Sequence, residues 1–489
     1  MKKAFRQWWN AFLFLSLPKF IFMFIKQLYT GCLSEAAYYI ESEGEVAIID
    51  PLRDIDEYIA LAKERNAGIK YIFETHFHAD FVSGHLDLSN QTGAPIIYGP
   101  GAKTNFKIYN SKDGEIFKLG KINFEVLHTP GHTIESSCYL LKDENDKPHA
   151  IFTGDTLFVG DVGRPDLSSG DMSSEELAGI MYYTIQNKIM PLADDVIVYP
   201  AHGAGSSCGK NLGPNTFSTI GEEKQNNYAL QPQTKETFIK AVTEGLTDAP
   251  KYFTVNAQIN MQGYNSIDDV KQKGLTPLSI DAFKKLITED VLVLDTRHAD
   301  IFTQGFIPGS IFIGLEGRFA EWAGSLLPFD KPIILVTELG MEQDTVVRLA
   351  RVGFDKMQGY LQGSFDAWQK AGEKVDMIIN IEADELAMDI PHDEHLVIVD
   401  VRREPEFADG HVKGAQNIPL NEMTDIINIA NFEDNQNLYV HCAGGYRSVI
   451  ASSLIKRQGV HNLRNIMGGW SKIKEEKTII VEKDASVLN

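Results

Sequence analysis

"THFHADFVSGH", residues 75–85, continues the β-rich run "IKYIFETH" (69–76). His76, His78 and Asp80 alternate just after that strand, so three metal-binding side chains leave one short loop. Four other runs share the design: "EVAIIDP" (45–51), "INFEVLHTPGH" (122–132), "HAIFTGDT" (149–156) and "DVIVYPAHG" (195–203). Each is an apolar strand ending in Asp, His or Gly. Ligands of α/β sheets bind just beyond strand ends, so five such ends predict one shared site at one edge. His132 follows the Pro130-Gly131 turn pair, which bends the backbone sharply. Asp155 follows Gly154, which lets its strand end approach closely, and His202 ends "IVYPAH". Imidazole with carboxylate suits zinc or iron, whereas oxygen-only cages suit calcium or magnesium.

At 489 residues the chain is too long for one core and suggests about three domains. With 43% hydrophobic and 23% charged residues it reads as ordinary globular protein. Acidic residues outnumber basic ones, 67 to 46, for a formal charge of −21, which disfavours a nucleic-acid partner. The four cysteines, Cys32, Cys138, Cys208 and Cys442, form no C-x-x-C pair and no disulfide framework, so a cytoplasmic, reducing compartment fits best. Cys32 and Cys138 lie in strand-like runs and are expected to be packed. The first 22 residues carry a basic start and an apolar run broken by Pro18 and Lys19, too short for a stable membrane span. They read as a non-domain extension or a membrane-surface anchor.

The second half holds an internal repeat. "VLVLDTRHADIFTQGFIPGSIFI" (291–313) matches "LVIVDVRREPEFADGHVKGAQNI" (396–418), aligning Asp295, Arg297, Gly305 and Gly309 with Asp400, Arg402, Gly410 and Gly414. "LQGSFDAW" and "IMGGWSKI" continue the match. Each copy reads as a small α/β domain with a parallel sheet. In "VHCAGGYRS" (440–448) a strand ends in Cys442, two glycines bend the loop, and a helix follows. Backbone N–H groups in such a loop, backed by a helix N-terminus, cradle an anion and favour a nucleophilic thiolate. Arg447 adds positive charge, and Ala443, Gly444, Gly445 and Tyr446 are the candidate substrate-binding positions. Where Cys442 aligns, the first copy has Glu338, in the acidic loop "TELGMEQD". Without a thiol it reads as a silent spacer or docking domain.

"THFHAD", "TPGHT", "TGDTLF", "YPAHG" and the early "IIDP" resemble the metallo-β-lactamase fold, an αβ/βα sandwich with its metal at one edge. Residues 376–480 resemble a rhodanese domain, with the four-residue spacing between Cys442 and Arg447 of a single-domain rhodanese. The glyoxalase II branch of the metallo-β-lactamase fold resembles a binuclear hydrolase, with a histidine directly after the loop aspartate; here that residue is Phe81. The chain as a whole resembles a persulfide dioxygenase–rhodanese fusion. That resemblance implies an extension over 1–22, an iron domain over 23–265, a cysteine-less rhodanese copy over 274–375 and an active copy over 376–489. It implies one Fe(II) per chain held by His76, His132 and Asp155, with His78, Asp80 and His202 orienting ligands and waters around them. Spacing alone would have placed His78 among the ligands.

The implied reaction is O2-dependent oxidation of a low-molecular-weight thiol persulfide to sulfite, joined to sulfane transfer between Cys442 and sulfite or thiosulfate. The alternative is a glyoxalase II-like metal-dependent thioesterase carrying a sulfur-carrier domain; a third reading is a sulfur relay around a structural metal. Arg164, in "GDTLFVGDVGRPDL" (154–167), is a candidate for holding the carrier's carboxylate or phosphate, or else a structural ion-pair partner. "HGAGSSCGKN" stands where glutathione-using relatives show His-Asp-Tyr, which argues against glutathione as the carrier. Cys208, in that segment, reads as a free loop thiol or an accessory sulfur acceptor. A homo-oligomer is the expected assembly. The distance in sequence between the two centres makes diffusion between them the default.

Overall fold

A computed structural model of the protein describes residues 23–167, 172–246, 248–430, 432–433 and 435–484. The extension expected over 1–22 lies outside the described residues. The N-terminal region is built from two six-stranded sheets. The first runs Phe24–Thr30, Glu35–Ser42, Glu45–Ile49, Gly68–Phe73, Ile96–Tyr98 and Tyr109–Asn110 in spatial as well as chain order. The second places Pro148–Gly154 between Ile197–Pro200 and Ser137–Lys142, with Ile122–His128 beyond.

Strand periodicity explains the sandwich. In Glu35–Ser42, Ala36, Tyr38 and Ile40 face the core between the sheets, while Ala37 and Tyr39 face the opposite way, toward Tyr58 and Leu88. Both faces are apolar because both are covered. In the second sheet Tyr139 and Leu141 point into the shared core, and Cys138 and Leu140 point toward Ala178, Met181 and Phe238 on the outer helices. Five strands thus end at one edge, in Asp50, Thr75, His128, Gly154 and Pro200 or the residues just past them. Asp50 adopts a left-handed φ of 50° as the chain turns off its strand.

The repeat folds as two five-stranded parallel sheets of the same order. Pro277–Leu278, Met357–Leu361, Ile333–Val336, Leu292–Asp295 and Ile311–Phe312 form one; Ile379–Ile381, Leu463–Ile466, Asn437–His441, Leu396–Asp400 and Gln416–Asn417 form the other. The aligned residues do the same work in both. Arg297 Nη2 donates to Asp295 Oδ2 at 2.6 Å and to Gly305 O at 2.9 Å; Arg402 Nη2 donates to Asp400 Oδ2 at 2.6 Å and to Gly410 O at 2.7 Å. The two guanidiniums stack over the aligned aromatics Phe365 and Trp470.

The first copy is fastened to the N-terminal region by buried polar contacts. Arg53, with no side-chain exposure, pairs with Asp355 and donates to Ala350 O at 2.9 Å; Arg351 is bidentate to Asp54, both at 2.7 Å. The segment from 232 to 273 bridges the regions: Phe238 and Val242 join the outer core of the second sheet, while Tyr252, Phe253, Ile267 and Val270 join the core reaching the repeats. Among the described residues no helix is long and apolar enough to cross a membrane.

Candidate metal centre and cysteine loop

Asp155 stands at the middle of the strand-end cluster, with both carboxylate oxygens buried and without a hydrogen-bond partner. His132 Nε2 lies 3.4 Å and His76 Nε2 3.9 Å from Oδ2, while His202 Nε2 lies 3.5 Å from Oδ1 and equally far from Asp80 Oδ2. A hydrogen bond at Nδ1 fixes each ring's tautomer. Arg164 O accepts from His132 Nδ1 at 2.8 Å, and Ser34 O accepts from His202 Nδ1 at 3.2 Å. The Thr75 hydroxyl donates to Asp50 at 2.8 Å, so at 3.0 Å from His76 Nδ1 it accepts. All three rings therefore carry their proton on Nδ1 and turn the Nε2 lone pair inward. Burial, reinforced by the neighbouring histidines, pushes His76 well below the ordinary histidine range and keeps it neutral. Burial likewise pushes the Asp80 carboxyl up, partly offset by His202 and His78. Inward lone pairs around unpartnered carboxylates are a donor set that a divalent cation fits.

The expected ligands His76, His132 and Asp155 thus come together in one buried group. His202 reaches the other oxygen of Asp155, with the Cys208 thiol close to both, and it also comes together with His78 and Asp80. The residues expected to orient the metal's surroundings, His78, Asp80 and His202, therefore form a second, adjacent donor group that His202 joins to Asp155.

His78 differs. Its Nε2 lies 3.0 Å from Asp50 Oδ1 and 3.6 Å from Glu74 Oε2, and its ring stacks on Phe81 at 4.3 Å. Burial works against its charge, but Asp50, Glu74 and Asp80 outweigh burial and push the imidazole up to about 10. Its ring lies between two groups of possible metal-holding side chains, Asp80 with His202 on one side and Asp50 with Glu74 on the other. Phe81, fully buried, packs the other face of the ring. Asn260 holds the loop's backbone, donating to His78 O and Phe81 O at 2.8 Å each and accepting from Ser83 N–H at 2.9 Å.

Several expectations change on this geometry. Arg164 is almost fully buried, with its guanidinium bidentate to Asp166 at 2.7 and 2.6 Å and its carbonyl holding His132. That geometry fits the ion-pair alternative for Arg164, with its carbonyl orienting a ligand. Cys208 is buried beside the cluster and is no open loop thiol; burial, then Asp80 and Asp155, push its thiol well above the ordinary cysteine range. Cys138 is packed as expected, whereas Cys32 lies half-buried in the turn after Phe24–Thr30 and lines a cavity beside Asp80. Sequence reading missed Glu74 and Asn260. Asp50 was legible in "IIDP" as a strand end but not as the partner of His78.

At the far end of the chain, Cys442 Sγ accepts from Gly445 N–H at 3.1 Å. Gly445 takes φ 104° to turn the loop into the helix Tyr446–Arg457. Cys442 opens on a cavity of about 600 Å³ lined also by Gly444, Tyr446, Arg447 and Arg403. Arg447 is bidentate to Glu406 at 2.8 and 2.7 Å. In the first copy the equivalent Glu338 accepts from His298 N–H at 2.9 Å, and the loop offers Leu339 to solvent.

The Metallo-beta-lactamase superfamily model matches residues 30–202, and the Rhodanese-like domain model matches 279–371 and 382–476. The hydroxyacylglutathione hydrolase GloC of Haemophilus influenzae is 31% identical over 212 residues, which is 39% of this chain and 89% of that protein. A Schizosaccharomyces pombe protein described as "Probable hydroxyacylglutathione hydrolase glo2" is 35% identical over 177 residues, 35% of this chain; the match spans 64% of that relative's length. A solved structure of a metallo-beta-lactamase from Staphylococcus aureus, 34% identical, covers 69% of this chain and 98% of its own with a TM-score of 0.61. The chain belongs to the metallo-beta-lactamase superfamily and carries two rhodanese-like domains behind that fold.

Proposed function

We propose that the protein oxidises a low-molecular-weight thiol persulfide with O2 and passes sulfane sulfur through Cys442. The observation that carries this reading is the thiol of Cys442, held by Gly445 N–H at the mouth of an arginine-lined cavity, on the same polypeptide as a buried metal-binding cluster. Ferrous iron held by His76, His132 and Asp155 would supply open positions for a sulfur ligand and dioxygen. The chain's own groups do the rest. Thr75, Arg164 O and Ser34 O fix the three imidazoles in their ligating tautomer.

In the first half, RSSH, O2 and H2O give RSH, sulfite and two protons. In the second, the Cys442 thiolate takes the outer sulfur of another persulfide and expels RS⁻. The lone pair of sulfite then attacks that outer sulfur; the S–S bond breaks, its electron pair returns to Cys442, and thiosulfate leaves. Arg447 and Arg403 line the space where these anions gather.

A second reading has specific support. Asp80 and His202 come together with His202 also 3.5 Å from Asp155 Oδ1, and the relatives described above are named as hydroxyacylglutathione hydrolases. A metal-dependent thioesterase would use that pair of positions for a bound hydroxide. Metal content of the purified protein, followed by an oxygen electrode with several persulfides and an acyl-thioester assay, separates the two. Iron with persulfide-dependent O2 uptake supports the first reading; zinc with thioester cleavage and no O2 uptake replaces it with the second.

A further inference from the structure

Asp80, at the edge of the metal cluster, and Cys442 each line a cavity, and the same arginine lines both. The cavity on the metal side, about 260 Å³, has Asp80 and the turn at Cys32 on one wall, and Arg318 and Glu321 on the other. The cavity over Cys442 has Arg318 and Trp322 on its wall. Arg318 belongs to neither centre. It sits at the start of the helix Phe319–Leu326 in the first, cysteine-less copy, so that copy's helix is the partition between the cavities.

The partition is anchored on both sides. Arg318 Nη2 donates to Gly205 O at 3.1 Å, on the loop just past His202, and its guanidinium also pairs with Glu321. Tyr446, four residues past Cys442, donates its hydroxyl to Gly314 O at 2.7 Å, four residues before Arg318. The side chain is nevertheless 44% exposed, so the guanidinium keeps donor capacity toward either cavity. A long arginine side chain exchanges between two such spaces by rotation about its own bonds, without moving a domain.

We propose that Arg318 is the anion-binding residue of a passage between the two centres. An oxyanion of sulfur released beside Asp80 is received by Arg318 and handed to the arginines around Cys442 before it reaches bulk solvent. This rests on the persulfide-oxidising reading, and it replaces free diffusion with transfer through the silent copy. The transfer moves an intact sulfite anion; bonds form and break only at Cys442, as written above.

The test supplies the iron-loaded full chain with a persulfide and O2 in the presence of excess sulfite oxidase. That enzyme converts any sulfite reaching solvent to sulfate, and thiosulfate and sulfate are then counted by ion chromatography. The parent chain is expected to give mainly thiosulfate, and Arg318→Met a thiosulfate-to-sulfate ratio about tenfold lower, as expected for loss of one charge-assisted hydrogen bond. Arg318→Lys, which keeps the charge, is expected to recover part of the ratio. A metal-independent arm titrates thiosulfate calorimetrically into chain carrying Cys442→Ala, where adding Arg318→Met is expected to weaken binding about tenfold. A parent chain that gives mainly sulfate, or an Arg318→Met ratio or affinity equal to its parent's, overturns the passage while leaving the oxidation intact. Absence of both products and of O2 uptake overturns the oxidation itself, and the passage with it.

Discussion

The two rhodanese-like copies share a sheet order, a buried Asp–Arg pair and an aromatic under that arginine, yet they differ at the one loop that matters for sulfur chemistry. In one, Cys442 heads a glycine loop under a cavity with Arg403 and Arg447; in the other, Glu338 caps its neighbour's backbone and the following helix begins with acidic Glu342 and Asp344. A carboxylate at that position repels the anions a thiolate would attack. The first copy, without a thiol at that loop, makes contacts on both sides: Arg53, Arg351 and Arg318 tie it to the metal region, and Gly314 and Phe312 tie it to the second copy. The same frame thus carries a cysteine loop in one copy and an acidic loop in the other.

The largest expected effect separates the copies directly. Cys442→Ser is expected to remove sulfane transfer by about a thousandfold or more, since the nucleophile is lost, whereas Glu338→Ala should leave the transfer rate within about twofold. Thiosulfate:acceptor assays of both variants check this, and a Glu338→Ala chain that loses transfer would show the first copy to be no silent one.

Cutting the first copy's contacts with the metal region comes next. Arg53→Met leaves Asp355 facing a buried interface without its partner, a loss of about 3–5 kcal/mol where the partner of a buried ion pair is removed. Urea unfolding followed by fluorescence should show the midpoint fall, and an unchanged midpoint would mean that the copy is held by other contacts. Asn260→Ala strands the carbonyls of His78 and Phe81 and the N–H of Ser83, at about 2–3 kcal/mol. Its expected signature beyond stability is weaker metal retention during dialysis against a chelator.

The smallest effect concerns the active loop's own ion pair. Hydrogen bonding from Arg447 holds the Glu406 carboxyl below its usual range, so the pair favours the folded state above the carboxyl's unfolded value of about 4.3 and loses that contribution as pH falls through the lower, folded value. Transfer through Cys442 should therefore show no Glu406 titration between pH 5 and 8. Glu406→Gln should remove an acidic limb seen only below that window. A Glu406-dependent step near neutrality in the pH profile would contradict the pairing.

Much of the site was legible because strand ends announce themselves: an apolar alternation that stops at Asp or His needs no tertiary knowledge. His76, His132, Asp155 and His202 converge for that reason. The internal repeat was equally visible, since the Asp–Arg–Gly spacing is local and each copy folds around it. What the sequence hid depends on contacts between distant segments. Asn260 reaches the loop at His78 from 182 residues away, and Arg318 reaches Gly205 from 113. No periodicity encodes either. The Arg164–Asp166 ion pair was within reach of the sequence, two residues apart, but its burial was not.

The most direct measurement takes one iron-loaded sample with a persulfide and records O2 consumed and thiosulfate formed together. Equal molar amounts are expected, because two RSSH, one O2 and one H2O yield two RSH, one thiosulfate and two protons. Thiosulfate formed without O2 loss, or acyl-thioester cleavage in place of both, would contradict the account.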